Sequence, residues 1–183
     1  EHRKNYAQVL SVLVQDKLTA LEMPKARFEI SVTEKEISTN GIDNVEFLIS
    51  TNVSEDLKPL AKVASGGEIS RVMLAIKSIF AQTDDIDTVI FDEIDTGISG
   101  KATQSVADEI VELSKTHQII VITHQAIIAS KANKHFYVRK SQENGTKVEV
   151  YVLTGDNRIK ALAELAGGTI NEQSIEFAKS LLA

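Results

Sequence analysis

The sequence predicts an α/β fold built on a parallel sheet, and three observations point to it. Two short continuous apolar runs, Val89-Ile90-Phe91 and Ile119-Ile120-Val121-Ile122, flank a helical pattern over about 102–114, as expected of parallel strands buried on both faces. Phe28, Ile30 and Val32, then Val45, Phe47 and Ile49, alternate with polar residues on either side of Asn40-Gly41, which predicts a separate antiparallel pair. The chain has 183 residues, 43% of them apolar, and no cysteine. At this length about 70% of the unfolded surface can be buried, so one core forms without a disulfide, and thiolate zinc and cysteine nucleophiles are excluded.

The elements follow in order. Tyr6, Val9, Leu10, Leu13, Val14, Leu18 and Leu21 recur three or four apart and predict a helix with one buried stripe, ended by Pro24. The two alternating strands are expected to pair through a long loop. A polar stretch with Pro59 leads to Ser65-Gly66-Gly67, and Ile69, Val72, Met73, Ile76, Ile79 and Phe80 continue as a helix. After the parallel strands and a short helix from Gln125, Phe136 to Val138 and Val148 to Leu153 read as strands joined around Asn144-Gly145, a strong hairpin turn. Helices over about 158–165 and 171–182, separated by Gly167-Gly168, close the chain.

The sharpest chemical feature is Thr88 to Glu93, an apolar strand ending in two carboxylates. Ligands of open α/β sheets bind beyond the strand ends, where one carboxylate suits Mg²⁺ and its neighbour can orient an attacking water. Strand alternation would point Asp92 and Glu93 in different directions. The plain structural alternative is a pair of solvated acids opening a turn. His124 ends the adjacent run in the same manner, where an imidazole could meet a phosphate. At Ala64-Ser65-Gly66-Gly67-Glu68 the glycines let backbone N–H groups approach an anion at a helix N-terminus. A capping box between Ser65 and Glu68 explains those two residues structurally, but not two glycines in a row. The phosphate loop G-x-x-x-x-G-K-[ST] is absent, and Gly97 to Lys101 has the wrong spacing, so this chain cannot build a whole ATP site alone.

Together, Ala64 to Arg71, Thr88 to Gly100 and Ile122 to His124 resemble the signature loop, Walker B strand, D-loop and switch-histidine loop of ABC-type ATPases, in that family's order. Val63 to Arg71 and Phe91 to Gly100 further resemble the RecN family, SMC-like ATPases of bacterial double-strand-break repair and recombination. The resemblance implies the carboxy-terminal lobe of a three-layer P-loop NTPase head, with a parallel sheet core, an added antiparallel hairpin and the end of a coiled-coil arm. Residues 1–23 would be the arm and 24–183 the head half, with the Walker A half elsewhere. It implies ATP and Mg²⁺ as cofactors, Asp92 supporting the metal, Glu93 polarising the attacking water and His124 near the γ-phosphate. Ser65, Gly66, Gly67 and Glu68 would meet the ATP of a second head. Ser99 stands where the D-loop usually has aspartate, leaving Asp95 as the nearer acidic position. Arg71 would organise the lobe.

The expected partners are the amino-terminal half of the same head, a second head in a homodimer, and DNA in the full-length protein. With a formal net charge of -6, the segment alone is expected to bind DNA weakly or not at all. No apolar run approaches the ~20 residues of a membrane span, and a cytoplasmic, nucleoid-associated location is expected. Glu1 opening inside a helical pattern suggests a piece of a longer chain. Two other readings compete: a non-catalytic lobe using the same surface for dimerisation, and a stand-alone metal phosphohydrolase, which lacks a further ligand cluster.

Overall fold

The computed structural model describes residues 1–63, 66–81, 83, 85–141 and 147–183. They form a mixed α/β fold with small parallel and antiparallel sheets, in two compact units, Glu1–Ile122 and Thr123–Ala183.

In the first unit, α1 (His2–Ala20) ends with Glu22 in the left-handed region at φ 59°, ahead of Pro24. Its inner face is Ala7, Val14 and Leu18, continued by Leu21, whereas Tyr6, Val9, Val12 and Leu13 are exposed. The single stripe expected from spacing is therefore two faces, because the apolar arc is wider than one packing surface can cover.

β1 (Arg27–Ser38) and β2 (Gly41–Ser50) pair antiparallel, with Ser38 opposite Gly41. The connection is a two-residue turn at 39–40, not the long loop expected. Glu34, Lys35 and Glu36 extend β1 with both faces in solvent, and a strand without a buried face carries no alternation to read. Gly41 adopts φ 92°, which suits glycine at a hairpin turn. β3 (Lys58–Pro59) adds a third, very short strand to β2. Along the outer edge of β1, the amide of Ile30 donates to Ser11 Oγ (2.9 Å) and that of Phe28 to Gln15 Oε1 (3.0 Å), while Gln15 Nε2 donates to Ala26 O (2.7 Å). Side chains of α1 thus satisfy an edge that would otherwise be open.

A 3₁₀ turn (Leu60–Lys62) precedes α2 (Gly66–Phe80), and β4 (Thr88–Phe91) pairs in parallel with β5 (Gln118–Val121) across α3 (Lys101–Leu113). The parallel sheet has two strands among the described residues, and it is not covered on both faces: Ile90, Ile120 and Ile122 are exposed at 62%, 45% and 56%. The core of this unit is Leu18, Leu21, Ile49, Val72, Leu74, Ile94 and Val106, each 1% exposed or less. Lys17 of α1 reaches Glu109 of α3 at 2.9 Å, and Lys101 at the start of α3 pairs with Glu22 at 2.8 Å.

The second unit holds α4 (Ala126–Ser130), the hairpin β6 (His135–Ser141) with β7 (Lys147–Leu153), α5 (Gly155–Gly167) and α6 (Glu172–Leu182). Ala126, Ala129, Leu162, Ala163 and Ala178 form its core. α5 ends on Gly168 at φ 68°, a left-handed cap that favours glycine. The Asn144-Gly145 turn lies outside the described residues, but both strands it was expected to join are present.

Candidate functional site

The site is built where the start of α2 meets the turn that follows β4. β4 stops at Phe91, whose ring is buried, and Asp92 and Glu93 leave it exposed. Glu93 takes φ 57°, the left-handed region that costs a residue with a Cβ roughly 1–2 kcal/mol. The alternation argument for Asp92 and Glu93 therefore does not extend past Phe91, since Glu93 is not in strand conformation. Its carbonyl accepts from Thr96 N at 3.0 Å, closing a turn over 93–96. Ile94 and Asp95, at 0% and 1% exposed, point into the core beneath it. Asp95 is thus interior, while Thr96, Gly97 and Ser99 face solvent.

The first turns of α2 lie against this turn. A Cβ added to Gly66 would collide with Glu93 Oε2; one added to Gly67 would stand 2.9 Å from Glu93 O, 2.9 Å from Thr96 Cβ and 3.1 Å from Thr96 O. Gly67 is a requirement of close approach to the turn's main chain, while Gly66 leaves room for the Glu93 carboxylate; a capping box alone left both glycines unexplained. Ser70 Oγ donates to Asp92 O at 2.7 Å. Arg71, 5% exposed, donates from Nη1 to Thr96 O at 2.9 Å and Ile94 O at 3.3 Å. Burial pulls the Arg71 guanidinium below its ordinary pKa, opposed by the Glu68 carboxylate one turn back. The family resemblance implied Arg71 as an organiser of the lobe; its burial and its carbonyl partners carry no signature in residue spacing.

Gly66, Gly67, Glu68, Asp92, Glu93 and Asp95 therefore belong to one local arrangement in the first unit. Ser65 and Ala64 lie outside the described residues. His124 is exposed and belongs to the second unit. Among the described residues no group of three or more His, Asp or Glu could hold a metal by itself. Asp92 fits a Mg²⁺ ion that keeps most of its ligands as water and phosphate oxygen, which is how that ion is usually bound. No helix of the described residues is long and apolar enough to cross a membrane.

No protein-family model matches the chain. Over 98% of its length it is 42% identical, across 187 residues, to DNA repair protein RecN of Halalkalibacterium halodurans, and 38% identical, across 198 residues, to that of Bacillus subtilis. These alignments take up 33% and 34% of the two relatives, so the chain spans about a third of their length. Its fold is similar to the Smc head domain with a coiled coil and joint derived from Pyrococcus yayanosii, with TM-score 0.61, 24% identity and coverage of 90% of this chain and 30% of that one. A chain from work on ATP-driven dimerization and DNA stimulated activation of SMC ATPases gives TM-score 0.52 at 23% identity, covering 91% of this chain and 96% of that one. By its sequence the chain belongs to the RecN family of DNA repair proteins, and its fold is similar to that of the Smc head.

Proposed function

We propose that this chain is the carboxy-terminal half of an ATP-hydrolysing head in a RecN-type protein of double-strand-break repair, with residues 1–23 ending a coiled-coil arm and 24–183 forming the head portion. The observation that carries this reading is the packing of Gly66-Gly67 directly on the Asp92–Thr96 turn, two motifs distant in sequence that a composite nucleotide site uses together. The SMC ATPases of similar fold, described by ATP-driven dimerization, support a site shared by two heads.

Asp92 would support Mg²⁺, and the Glu93 carboxylate takes a hydrogen bond from the attacking water and draws off its proton as the water oxygen bonds to the γ-phosphorus and the bond from that phosphorus to the β–γ bridging oxygen breaks, with ADP as the leaving group. Mg²⁺, when bound with ATP, neutralises charge on the phosphate oxygens. Gly66 and Gly67 offer main-chain N–H groups at the α2 N-terminus to the γ-phosphate held by the second head, and Ser65 is the preceding residue of the same signature. Glu68 and Asp95 are the acidic signature and D-loop positions, and His124 serves the γ-phosphate from the switch loop. The phosphate loop comes from the amino-terminal half of the head. Two bare surfaces favour such a cover: Ile90, Ile120 and Ile122 on the parallel sheet, and Phe136, Val138, Val150 and Val152 on the hairpin of the second unit, each at least 45% exposed. The exposed Tyr6, Val9, Val12 and Leu13 of α1 suit a coiled-coil partner. DNA is bound by the full-length protein and weakly or not at all by this segment, in the bacterial cytoplasm at the nucleoid.

Glu93→Gln in the full-length protein tests the reading. Removing a general base costs about 10²–10⁴-fold, so hydrolysis falls at least 100-fold while ATP-dependent head association persists. Unchanged turnover overturns the catalytic assignment.

A further inference from the structure

We infer that Arg71, with Ser70, is a positioning residue for Glu93: the two side chains hold the main chain of the Asp92–Thr96 turn to α2 and so fix where the Glu93 carboxylate stands. The inference rests on the hydrolytic reading of Glu93 given above.

Three carbonyls on this short turn are gripped from consecutive residues of one helix. Ser70 takes Asp92 O at 2.7 Å, and Arg71 takes Ile94 O at 3.3 Å and Thr96 O at 2.9 Å, so the held carbonyls bracket Glu93 on both sides. An arginine residue only 5% exposed carries a charge that is costly to bury, a cost opposed here by the Glu68 carboxylate. Its Nε finds no partner, so packing alone does not explain it. What it does satisfy is the carbonyls of Ile94 and Thr96, just past Glu93 at φ 57°, a conformation that relaxes unless its surroundings over-determine it. Gly67, without a Cβ, lets the helix come close enough for both grips. A lysine at 71 would keep the charge, but its nitrogen ends one bond short of Nη1, from which both carbonyl bonds leave.

The test uses the full-length protein carrying Arg71→Lys, Ser70→Ala, Glu93→Gln and the double substitution Arg71→Lys with Glu93→Gln. Amide exchange is read over residues 92–98, with α3 as internal control. In Arg71→Lys, exchange at Thr96 rises at least tenfold with α3 unchanged, kcat for ATP falls at least tenfold, and KM stays within threefold. Ser70→Ala moves the same quantities in the same direction by less. The double variant is no slower than Glu93→Gln alone, since a residue acting through Glu93 has nothing left to position. Unchanged Thr96 exchange in Arg71→Lys overturns the clamp, as does a double variant slower than Glu93→Gln by the full factor of the single Arg71 change. If Glu93→Gln itself leaves turnover intact, the hydrolytic reading fails, and with it the positioning role, while raised Thr96 exchange in Arg71→Lys would still establish the grip on the turn.

Discussion

The adjacent glycines Gly66 and Gly67 respond differently to the same substitution, and the difference can be worked from their surroundings. Alanine at either position gains up to about 1 kcal/mol of helix propensity over glycine, and that gain cancels when the two variants are compared. At Gly66 the new Cβ meets the carboxylate end of Glu93, an exposed side chain free to swing aside. At Gly67 it meets Glu93 O and Thr96 Cβ, each at 2.9 Å, and Thr96 O at 3.1 Å. Those are atoms of a closed turn over buried Ile94 and Asp95, so the backbone itself must move. Overpacking of this kind costs about 1–3 kcal/mol, and for a chain of this size each kcal/mol is about 2–4 °C in Tm. Gly67→Ala is therefore less stable than Gly66→Ala by about 1–3 kcal/mol in urea denaturation, with a Tm gap of several degrees. Gly66→Ala instead keeps stability and displaces the Glu93 carboxylate, lowering turnover in the full-length protein. Equal denaturation midpoints for the two variants would refute the claim that α2 and the 92–96 turn are in contact through Gly67.

Two further outcomes follow from the same structure. Leu74, 0% exposed at the centre of the first unit, loses about 2–5 kcal/mol as Leu74→Ala, measured by urea denaturation; a loss under about 1 kcal/mol would mean that this helix face is not core. His135, with Nδ1 buried and unpartnered, has its pKa lowered by burial first and by the Arg158 charge second. Its unfolded form takes up a proton near the ordinary value of about 6.5 while the folded form does not, so stability falls as pH drops below that value. His135→Phe flattens this slope relative to the parent chain, and an unchanged slope assigns it to other groups.

How much of this was legible in the sequence depends on whether a feature leaves a period. The parallel strands and α3 were readable because Val89-Ile90-Phe91 and Ile119-Ile120 are short apolar runs separated by a helical pattern. The outer half of the β1–β2 hairpin was not, because Glu34, Lys35 and Glu36 face solvent on both sides and look like loop. The two faces of α1 merge into one arc at the level of spacing, and only packing separates Leu18 from Leu13. In the site, residue identities pointed to Gly66, Gly67, Asp92 and Glu93 through their combination: an apolar run ending in two acids is common by itself, but not beside a glycine pair and His124 in one family's order. The left-handed Glu93 and the inward turn of Asp95 followed from tertiary contacts that no local rule encodes.

Those contacts also explain why the glycines, the arginine and the acids form one device instead of three motifs. The turn after β4 carries strain at Glu93 that its own sequence does not relieve, because Gly97 lies past the strained position. The relief comes from outside: Gly67 makes room, Ser70 and Arg71 hold three carbonyls, and Ile94 anchors the turn in the core. An anion engaging the α2 N-terminus pulls on a helix that is bonded to the carbonyls on either side of Glu93, at Asp92, Ile94 and Thr96, and a change at Glu93 is felt by that helix in return. Such coupling is reciprocal in free energy. In the proposed composite site, the glycines that one head offers to its partner's ATP are thus mechanically joined to the carboxylate that the same head applies to its own.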